Sequence, residues 1–255
     1  MSLVYSIVST VVMLFLGETA VFFVLSRVYG FGTEFFLLFL AVQAGFDLII
    51  LTFLILNRSF FYIVQSGQAE TRVNVSNKIT LFRITMLPFL LFLIFASQKR
   101  LVGPALVIAT ALTFLSDFVD GRIARAKNLE TYMGKILDSA SDYLVLGIIA
   151  AAFCFFGLLK TWLFILIAGR LLIHSLGMMI LCLIRKKLSP QTTFFGKFTI
   201  AAIMVFLVLE SAALFFGRPF WMAYVEIALG VIMVLSVIDK LVYFTGILKK
   251  PGVQS

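Results

Sequence analysis

The sequence predicts an all-α, polytopic membrane protein, and its composition, its hydropathy and the length of its apolar stretches each support this fold class. Of the 255 residues, 62% are hydrophobic and 13% are charged, and the mean hydropathy is +1.12. Soluble domains are typically about 45–50% apolar and about 25% charged. Eight apolar stretches are long enough, or nearly so, to span a bilayer, which takes roughly 20 residues of helix. A water-soluble fold is therefore not expected.

The eight predicted helices follow one another with mostly short polar connections. They cover residues 5–28, 34–57, 79–97, 101–117, 135–158, 161–184, 194–217 and 220–246. The third and fourth are separated by a short turn only, so we expect them to form a tight helical hairpin. The longest polar interval of the first half begins at residue 58. We therefore predict an amino-terminal transmembrane helix pair (1–57), a polar interfacial linker (58–76) and a six-helix transmembrane domain (77–255).

The distribution of basic residues predicts the orientation in the membrane. The chain carries 21 Lys and Arg against 12 acidic residues, a formal net charge of +9. If the loop between the fourth and fifth helices is cytoplasmic, twelve Lys and Arg fall on the cytoplasmic side and five on the other. This bias is typical of cytoplasmic loops, and the same residues would face anionic lipid headgroups. We therefore expect membrane lipids, and no nucleic acid, as partners of the basic surface.

Four aspartates lie where two of the predicted helices leave the membrane. Asp117 and Asp120 share one face at the end of the fourth helix, and Asp138 and Asp142 share one face at the start of the fifth. Acids near hydrocarbon are unfavourable unless a cation compensates them, so they indicate function. If the two faces meet, divalent ions that prefer hard oxygen ligands, Mg²⁺ or Mn²⁺, would remove the repulsion. Two such ions can hold a phosphate between attacking and leaving oxygens, which predicts phosphoryl transfer at the membrane surface.

The residues around the aspartates fit a phosphate-binding pocket. Gly121, Ala124 and Gly134 are small, and glycine in particular lets a ligand or a second helix approach the backbone closely. Arg125 offers a planar fork of five donors suited to phosphate oxygens, although it would also serve as a cytoplasmic anchor. The simpler alternative is a set of solvated carboxylates at the membrane boundary. That alternative accounts for one or two of the acids but not for two face-matched pairs.

Together these residues spell D-x-x-D-G-x-x-A-R-x8-G-x3-D-x3-D, with eight fixed identities in the 26 residues from 117 to 142. The pattern resembles the signature of the CDP-alcohol phosphotransferase (CDP-alcohol phosphatidyltransferase) family, and the resemblance covers about residues 77–246. It implies that Asp117, Asp120 and Asp138 bind metal. It implies that Asp142 is both a ligand of the second metal and the general base. It also implies a nucleotide and diphosphate pocket formed by Gly121, Ala124, Arg125 and Gly134.

The resemblance also implies an activity. Members of the family transfer a phosphatidyl or other phospho-alcohol group from a CDP-alcohol, here CDP-diacylglycerol, to an acceptor alcohol such as glycerol 3-phosphate, and they release CMP. The implied enzyme is a metal-dependent transferase of phospholipid synthesis that uses two Mg²⁺ or Mn²⁺ ions. The resemblance further implies a homodimer in the bacterial inner (cytoplasmic) membrane with its active site on the cytoplasmic side. The usual family core has six helices, so the first two helices here have no counterpart in it.

Polar residues in other predicted helices are candidate contacts for the acceptor or the donor. Asn77, Thr80 and Arg83 stand in an N-x-x-T-x-x-R-x4-P pattern, which resembles the phosphatidylglycerophosphate synthase branch of the family. Asn77 could instead cap the third helix. Arg170 in the sixth helix and Lys197 at the start of the seventh could bind a phosphate of the acceptor, although Lys197 could simply extend to the interface.

Three positions depart from that branch and leave the acceptor open. The branch carries proline after the third aspartate, lysine after the fourth, and a second acceptor-side lysine. The corresponding residues here are Ser139, Tyr143 and Thr199. Ser139 is closer to the phosphatidylserine and phosphatidylinositol types. Serine, inositol phosphate and choline/diacylglycerol chemistry therefore stay open as alternatives to glycerol 3-phosphate.

Functions of other classes compete with this interpretation. An intramembrane prenyltransferase would need a second Asp-rich motif, but Asp239 is the only aspartate in residues 150–255. An ion-coupled membrane transporter would predict paired helix interruptions that the sequence lacks. The sequence singles out no role for five further acids within apolar stretches, Glu18, Asp47, Glu210, Glu226 and Asp239. The last three could pair with basic residues or line an interface.

Cysteine and histidine are not expected to bind metal. Cys154 and Cys182 lie within apolar stretches and form no C-x-x-C pair, so we predict neither a disulfide framework nor a zinc site. His174 is the only histidine, and we expect it to make a hydrogen bond between helices.

Overall fold

The fold of the protein is all-α, as the sequence predicts. The computed structural model describes residues 2–99, 102–127, 130–184 and 194–249; within these ranges it does not describe the side chains of residues 120–127, 178–184, 194, 243–244 and 246–249. The described residues form eight α-helices: α1 (Leu3–Val28), α2 (Thr33–Leu56), α3 (Val75–Ser97), α4 (Gly103–Lys127), α5 (Tyr132–Phe155), α6 (Thr161–Ile184), α7 (Phe194–Phe216) and α8 (Met222–Lys249). Five helices in the described ranges, α1, α2, α3, α5 and α7, are long and apolar enough to cross a membrane. The protein is a polytopic membrane protein.

The predicted helix bounds agree with the structure to within four residues, except at the end of the fourth helix. α4 continues to Lys127, ten residues beyond the predicted end at 117, and α5 begins at Tyr132 rather than at 135. Hydropathy marks the part of a helix that lies in lipid, whereas backbone hydrogen bonds continue through polar residues in water. The predicted end of the fourth helix at 117 was therefore wrong, and α4 extends for about two turns beyond Asp120.

α3 is the central helix of the first of two compact units into which the chain divides, residues 1–149 and 150–255. It packs on α4, as predicted for a hairpin, and also on α1 and α2. In its most apolar segment 72% of the residues are buried, compared with 28% in α1 and in α2. The helix pair therefore covers one side of α3 and turns most of its own surface outward.

A buried polar network joins the amino-terminal helix pair to α3. Glu18 of α1 accepts a hydrogen bond from Thr85 Oγ1 of α3 at 2.6 Å. Gln43 Nε2 of α2 lies 2.7 Å from Glu18 Oε2, 3.1 Å from Asp47 Oδ2 and 3.0 Å from the Thr85 carbonyl oxygen. Phe22 and Phe39 stack beside it with ring centroids 3.8 Å apart. Glu18 and Asp47, to which the sequence assigns no role, thus connect α1, α2 and α3.

The polar linker between α2 and α3 is held against the start of α5. Val64 N donates to the Glu130 carbonyl oxygen at 2.9 Å, and Tyr132 N donates to the Tyr62 carbonyl oxygen at 3.0 Å. The Tyr62 and Tyr132 rings stack with centroids 5.4 Å apart. The linker and the beginning of α5 therefore lie at the same end of this unit.

The second unit contains α6, α7 and α8, with α8 packed on both of the others. At one end Lys160 Nζ lies 2.7 Å from Glu226 Oε2, and Arg218 contacts both Glu210, at 3.0 Å, and Glu226. Of the two possibilities left open for Glu210 and Glu226, pairing with basic residues is the one observed. Cys154, in the preceding helix, is a free thiol.

Candidate active site

Arg83 reaches the candidate site from the third turn of α3. The helix begins after Asn74, whose Oδ1 accepts a hydrogen bond from Asn77 N at 2.8 Å. Asn74, and not Asn77, is therefore the capping residue. Further along the helix, the Arg83 side chain is fully buried. Because a buried cation needs anionic or polar partners, its surroundings identify the site.

Three of the four motif aspartates converge on Arg83. Its Nη1 lies 2.7 Å from Asp117 Oδ1 of α4, 3.0 Å from Asp142 Oδ1 of α5 and 3.7 Å from Asp138 Oδ1 of α5. One carboxylate oxygen from each aspartate lies within 4.8 Å of the others. Asp138 is the most exposed of the three, with 54% of its side chain accessible, and Asp142 the least, with 18%. The two helix faces thus meet at a partly open acidic cluster.

Ser141 is a residue of this site that the sequence does not single out. Its hydroxyl accepts a hydrogen bond from Arg83 Nη1 at 2.8 Å and donates one to the Asp138 carbonyl oxygen at 2.8 Å. It is fully buried, one residue before Asp142. The signal in the sequence is a polar residue beside a motif aspartate on α5, but serine is too common in helices for that position to be distinctive.

Gly134 lies where α3 and the start of α5 approach each other. Asn77 Nδ2 donates to Thr131 Oγ1 at 2.9 Å, and Thr131 Oγ1 accepts from Gly134 N at 2.9 Å. A Cβ atom on Gly134 would lie 2.9 Å from Thr131 Oγ1 and would clash with the Asn77 amide. Of the two explanations offered for this glycine, close approach by a second helix is the one observed. A contact with nucleotide stays a prediction.

The other predicted site residues are distributed over several elements. Asp120, Gly121, Ala124 and Arg125 belong to the last turns of α4, and their side chains lie outside the described residues. Thr80 is buried, and its hydroxyl donates to the Ser76 carbonyl oxygen one turn earlier in α3 at 3.2 Å.

Arg170 and Lys197 belong to the second unit. Arg170 is buried, and its Nη2 donates to the Gly196 carbonyl oxygen at 2.8 Å while its Nε donates to Ser236 Oγ at 3.2 Å. Lys197, the next residue of α7, is exposed. The two candidate acceptor contacts therefore lie on neighbouring parts of α6 and α7. His174, one turn after Arg170, is partly buried.

The acidic cluster has the donor set of a divalent-cation site. Carboxylate oxygens are hard ligands that suit Mg²⁺, Mn²⁺ or Ca²⁺, and neither a cysteine nor a histidine belongs to the described cluster. Opposed carboxylates from two helices can bind the same ion, and the exposed Asp138 side chain leaves the cluster partly open.

Comparison with known proteins agrees with the geometry. The sequence profile of the family described as CDP-alcohol phosphatidyltransferase matches residues 73–238, from just before α3 into α8. A protein of Aquifex aeolicus named CDP-diacylglycerol–glycerol-3-phosphate 3-phosphatidyltransferase is 33% identical over 129 residues, 50% of this chain and 69% of that protein.

Proteins with the same name in two other bacteria match over shorter segments. The one from Bacillus subtilis is 36% identical over 108 residues, 38% of this chain and 56% of its own length. The one from Rickettsia typhi is 41% identical over 76 residues, 29% of this chain and 41% of its own length. The matched part of this chain thus spans less than two thirds of either protein. The profile match covers well over half of the chain and includes the whole acidic cluster, and this chain is therefore a membrane enzyme of the CDP-alcohol phosphatidyltransferase family.

Proposed function

We propose that the protein transfers the phosphatidyl group of CDP-diacylglycerol to glycerol 3-phosphate and releases CMP. The observation that carries this proposal is the convergence of Asp117, Asp138 and Asp142, whose carboxylate oxygens lie within 4.8 Å of one another on the family's motif. The names of the relatives from Aquifex aeolicus and Bacillus subtilis support this donor and this acceptor.

Two Mg²⁺ or Mn²⁺ ions would be held by the acidic cluster, with Asp120 as the fourth aspartate ligand. When bound, such ions neutralise charge on a diphosphate and make its phosphorus easier to attack. The three described aspartates fit this role because each offers a carboxylate oxygen to one small volume. On the same helix as Asp120, Gly121, Ala124 and Arg125 would receive the nucleotide and diphosphate.

Asp142 would act as the general base. The acceptor hydroxyl oxygen forms a new bond to the phosphorus nearer the diacylglycerol, and its proton passes to the Asp142 carboxylate. The bond between that phosphorus and the bridging oxygen breaks, and CMP leaves with the electron pair. Asp142 suits this role because it is partly enclosed yet not sealed from solvent, so a hydroxyl can reach hydrogen-bond distance.

A phosphorylated acceptor is favoured by basic residues in the second unit. Arg170 donates to the Gly196 carbonyl oxygen, which brings its guanidinium to the start of α7, where Lys197 is exposed. Both side chains carry a positive charge, so the pair suits a phosphomonoester. Serine, which carries no phosphate, would gain less from it. Asn77 and Thr80 are further candidate contacts on α3.

We infer that the enzyme works at the cytoplasmic face of a bacterial inner membrane, as a homodimer. The excess of Lys and Arg on the side of the α4–α5 connection supports this orientation. Glycerol 3-phosphate is a water-soluble anion and CDP is the polar head group of the donor lipid. A site at this boundary would therefore receive glycerol 3-phosphate from the cytoplasm and the CDP head group at the membrane surface, while the acyl chains stay in the bilayer.

The proposed activity is tested with purified protein in detergent, CDP-diacylglycerol and either Mg²⁺ or Mn²⁺. Glycerol 3-phosphate, serine, inositol phosphate and, with CDP-choline as donor, diacylglycerol are supplied in turn. We expect CMP release and a new lipid with the mass of phosphatidylglycerophosphate only with glycerol 3-phosphate. Product formed only with another acceptor would refute glycerol 3-phosphate as the acceptor. No CMP release with any combination of donor and acceptor would refute the transfer itself.

A further inference from the structure

We propose that Arg83 is an internal counter-cation of the aspartate cluster and that it couples the binding of divalent ions to the binding of the CDP diphosphate. The inference rests on the proposed metal-dependent transfer and adds a role for a residue outside the D-x-x-D motif. Arg83 Nη1 contacts carboxylate oxygens of the same three aspartates that would hold the ions.

The guanidinium and the divalent ions compete for the same negative charge. Arg83 is always charged and lies 2.7 Å from Asp117 Oδ1 and 3.0 Å from Asp142 Oδ1. An ion bound to these carboxylates would meet a positive group within a few ångströms, in surroundings that screen charge poorly because the arginine is fully buried. Arg83 is therefore expected to weaken the binding of divalent ions to the enzyme alone.

The diphosphate would reverse this effect. With Asp120 as the fourth proposed ligand, four carboxylates and one guanidinium carry a net charge of about −3, so two divalent ions would leave the cluster positive. An anionic diphosphate removes that excess. It also offers Arg83 phosphate oxygens that accept the same paired donors as a carboxylate. The arginine can thus exchange an aspartate oxygen for a phosphate oxygen when the nucleotide arrives.

Ser141 would keep Arg83 in place during that exchange. Its hydroxyl accepts from Arg83 Nη1 at 2.8 Å and is itself fixed by donation to the Asp138 carbonyl oxygen. This contact is to a neutral group, so a divalent ion does not displace it by charge. Ser141 is accordingly a positioning residue for the guanidinium.

Coupling of this kind is reciprocal and can be measured without turnover. Mn²⁺ binding to the full-length protein in detergent micelles is followed by electron paramagnetic resonance of the free ion, alone and with saturating CDP. In the wild-type protein we expect CDP to tighten Mn²⁺ binding by about tenfold or more. In Arg83→Gln we expect tighter Mn²⁺ binding without CDP and an enhancement by CDP that falls to about twofold or less.

Two further variants separate this role from a structural one. Arg72→Gln removes an exposed arginine of the linker and should leave both Mn²⁺ affinities at the wild-type values. Arg83→Lys keeps the charge without the planar fork, so it should keep the wild-type Mn²⁺ affinity without CDP and lose most of the enhancement. If Arg83→Gln does not fold, the Mn²⁺ affinities of Arg83→Lys with and without CDP test the inference instead.

The result that overturns the inference is an Arg83→Gln or Arg83→Lys protein that binds Mn²⁺ and keeps the full CDP enhancement. Weaker Mn²⁺ binding to Arg83→Gln in the absence of CDP would also overturn it. If the wild-type protein itself binds no Mn²⁺, the metal-dependent transfer fails together with the inference. These outcomes therefore distinguish a wrong role for Arg83 from a wrong function for the cluster.

Discussion

Asp142 and Asp117 contact the same arginine, but we expect their substitution by asparagine to impair the enzyme in different ways. Asp142→Asn removes the proposed base and keeps an oxygen ligand, so we expect turnover to fall by about 10²-fold or more while Mn²⁺ binding is partly kept. Asp117→Asn removes a charged ligand, so we expect the Mn²⁺ dissociation constant to rise. Initial rates of CMP release and Mn²⁺ titrations measure the two effects.

Glu34→Gln is the matched control for these two variants. Glu34 is an exposed acid in the first turn of α2, and its loss should change neither the rate nor Mn²⁺ binding. An Asp142→Asn enzyme with a rate close to wild type would show that another group takes the proton.

Gly134 is predicted to be intolerant of any side chain. In Gly134→Ala the new Cβ would displace Thr131 or Asn77 and break the hydrogen bonds between α3 and the start of α5. We expect a loss of about 1–3 kcal/mol in stability, seen as a fall of several degrees in the melting temperature in detergent.

Gly45→Ala tests whether the loss in Gly134→Ala comes from crowding. Gly45 lies inside α2, and a Cβ atom there would meet nothing within 4 Å, so alanine should be neutral or stabilising by up to about 1 kcal/mol. Equal melting temperatures of Gly134→Ala and the wild-type protein would refute the steric explanation.

At the level of single residues, the sequence predicts which side chains take part in the chemistry better than it predicts which residues they contact. The spacing of Asp138 and Asp142 predicts that they share a face, because an α-helix repeats every 3.6 residues. Arg83 stands out because it is a charge within an apolar helix. Its partners are not predictable from the sequence, since they lie on α4 and α5 and depend on how three helices pack. Ser141 is missed for the same reason.

At the level of elements, all eight helices are predictable because each is an apolar run of nearly membrane length. The end of α4 is not, because polar residues after Asp117 continue the helix outside the apolar window. The sequence also does not predict how the amino-terminal helix pair attaches to α3. Glu18, Gln43 and Asp47 are visible as polar residues in apolar runs, but only the packing of α1 and α2 on α3 makes them neighbours of Thr85.

The network around Thr85 is predicted to hold the helix pair on α3. In Thr85→Val, Glu18 loses a hydrogen bond within a buried site, so we expect a loss of about 1–3 kcal/mol in stability. Thermal unfolding in detergent measures the loss. Thr52→Val is a matched control, because the Thr52 hydroxyl donates to the Leu48 carbonyl oxygen of its own helix, at 2.8 Å, and does not join α2 to α3 through that bond.

A double-mutant cycle of Thr85→Val with Glu18→Leu tests whether the two residues act together. Because Glu18→Leu removes the carboxylate that Thr85 satisfies, the double variant should be more stable than the sum of the single losses predicts. Strictly additive losses would show that Thr85 stabilises the protein without Glu18.

At the level of the whole molecule, the distribution of charge and the site of chemistry agree. Twelve Lys and Arg lie on the predicted cytoplasmic side, and in the proposed orientation the acidic cluster would be the negative group at that boundary. A surface of this kind attracts both anionic headgroups and anionic substrates, whereas the cluster itself would repel them without cations. The excess of basic residues thus fits the proposed reaction, in which two anionic substrates would meet at the acidic cluster.

The predicted orientation can be tested with two cysteines placed at opposite ends of α3. In a background with Cys154→Ser and Cys182→Ser, Ser66→Cys lies in the linker before α3 and Gln98→Cys lies in the turn after it; both positions are exposed. Because α3 is long enough to cross the membrane, the two thiols should be on opposite sides.

A membrane-impermeant maleimide added to sealed inside-out vesicles should label Ser66→Cys only. The same reagent added to spheroplasts should label Gln98→Cys only. The reverse pattern would place the acidic cluster on the outer face, away from cytoplasmic glycerol 3-phosphate, and would contradict the orientation drawn from the basic loops.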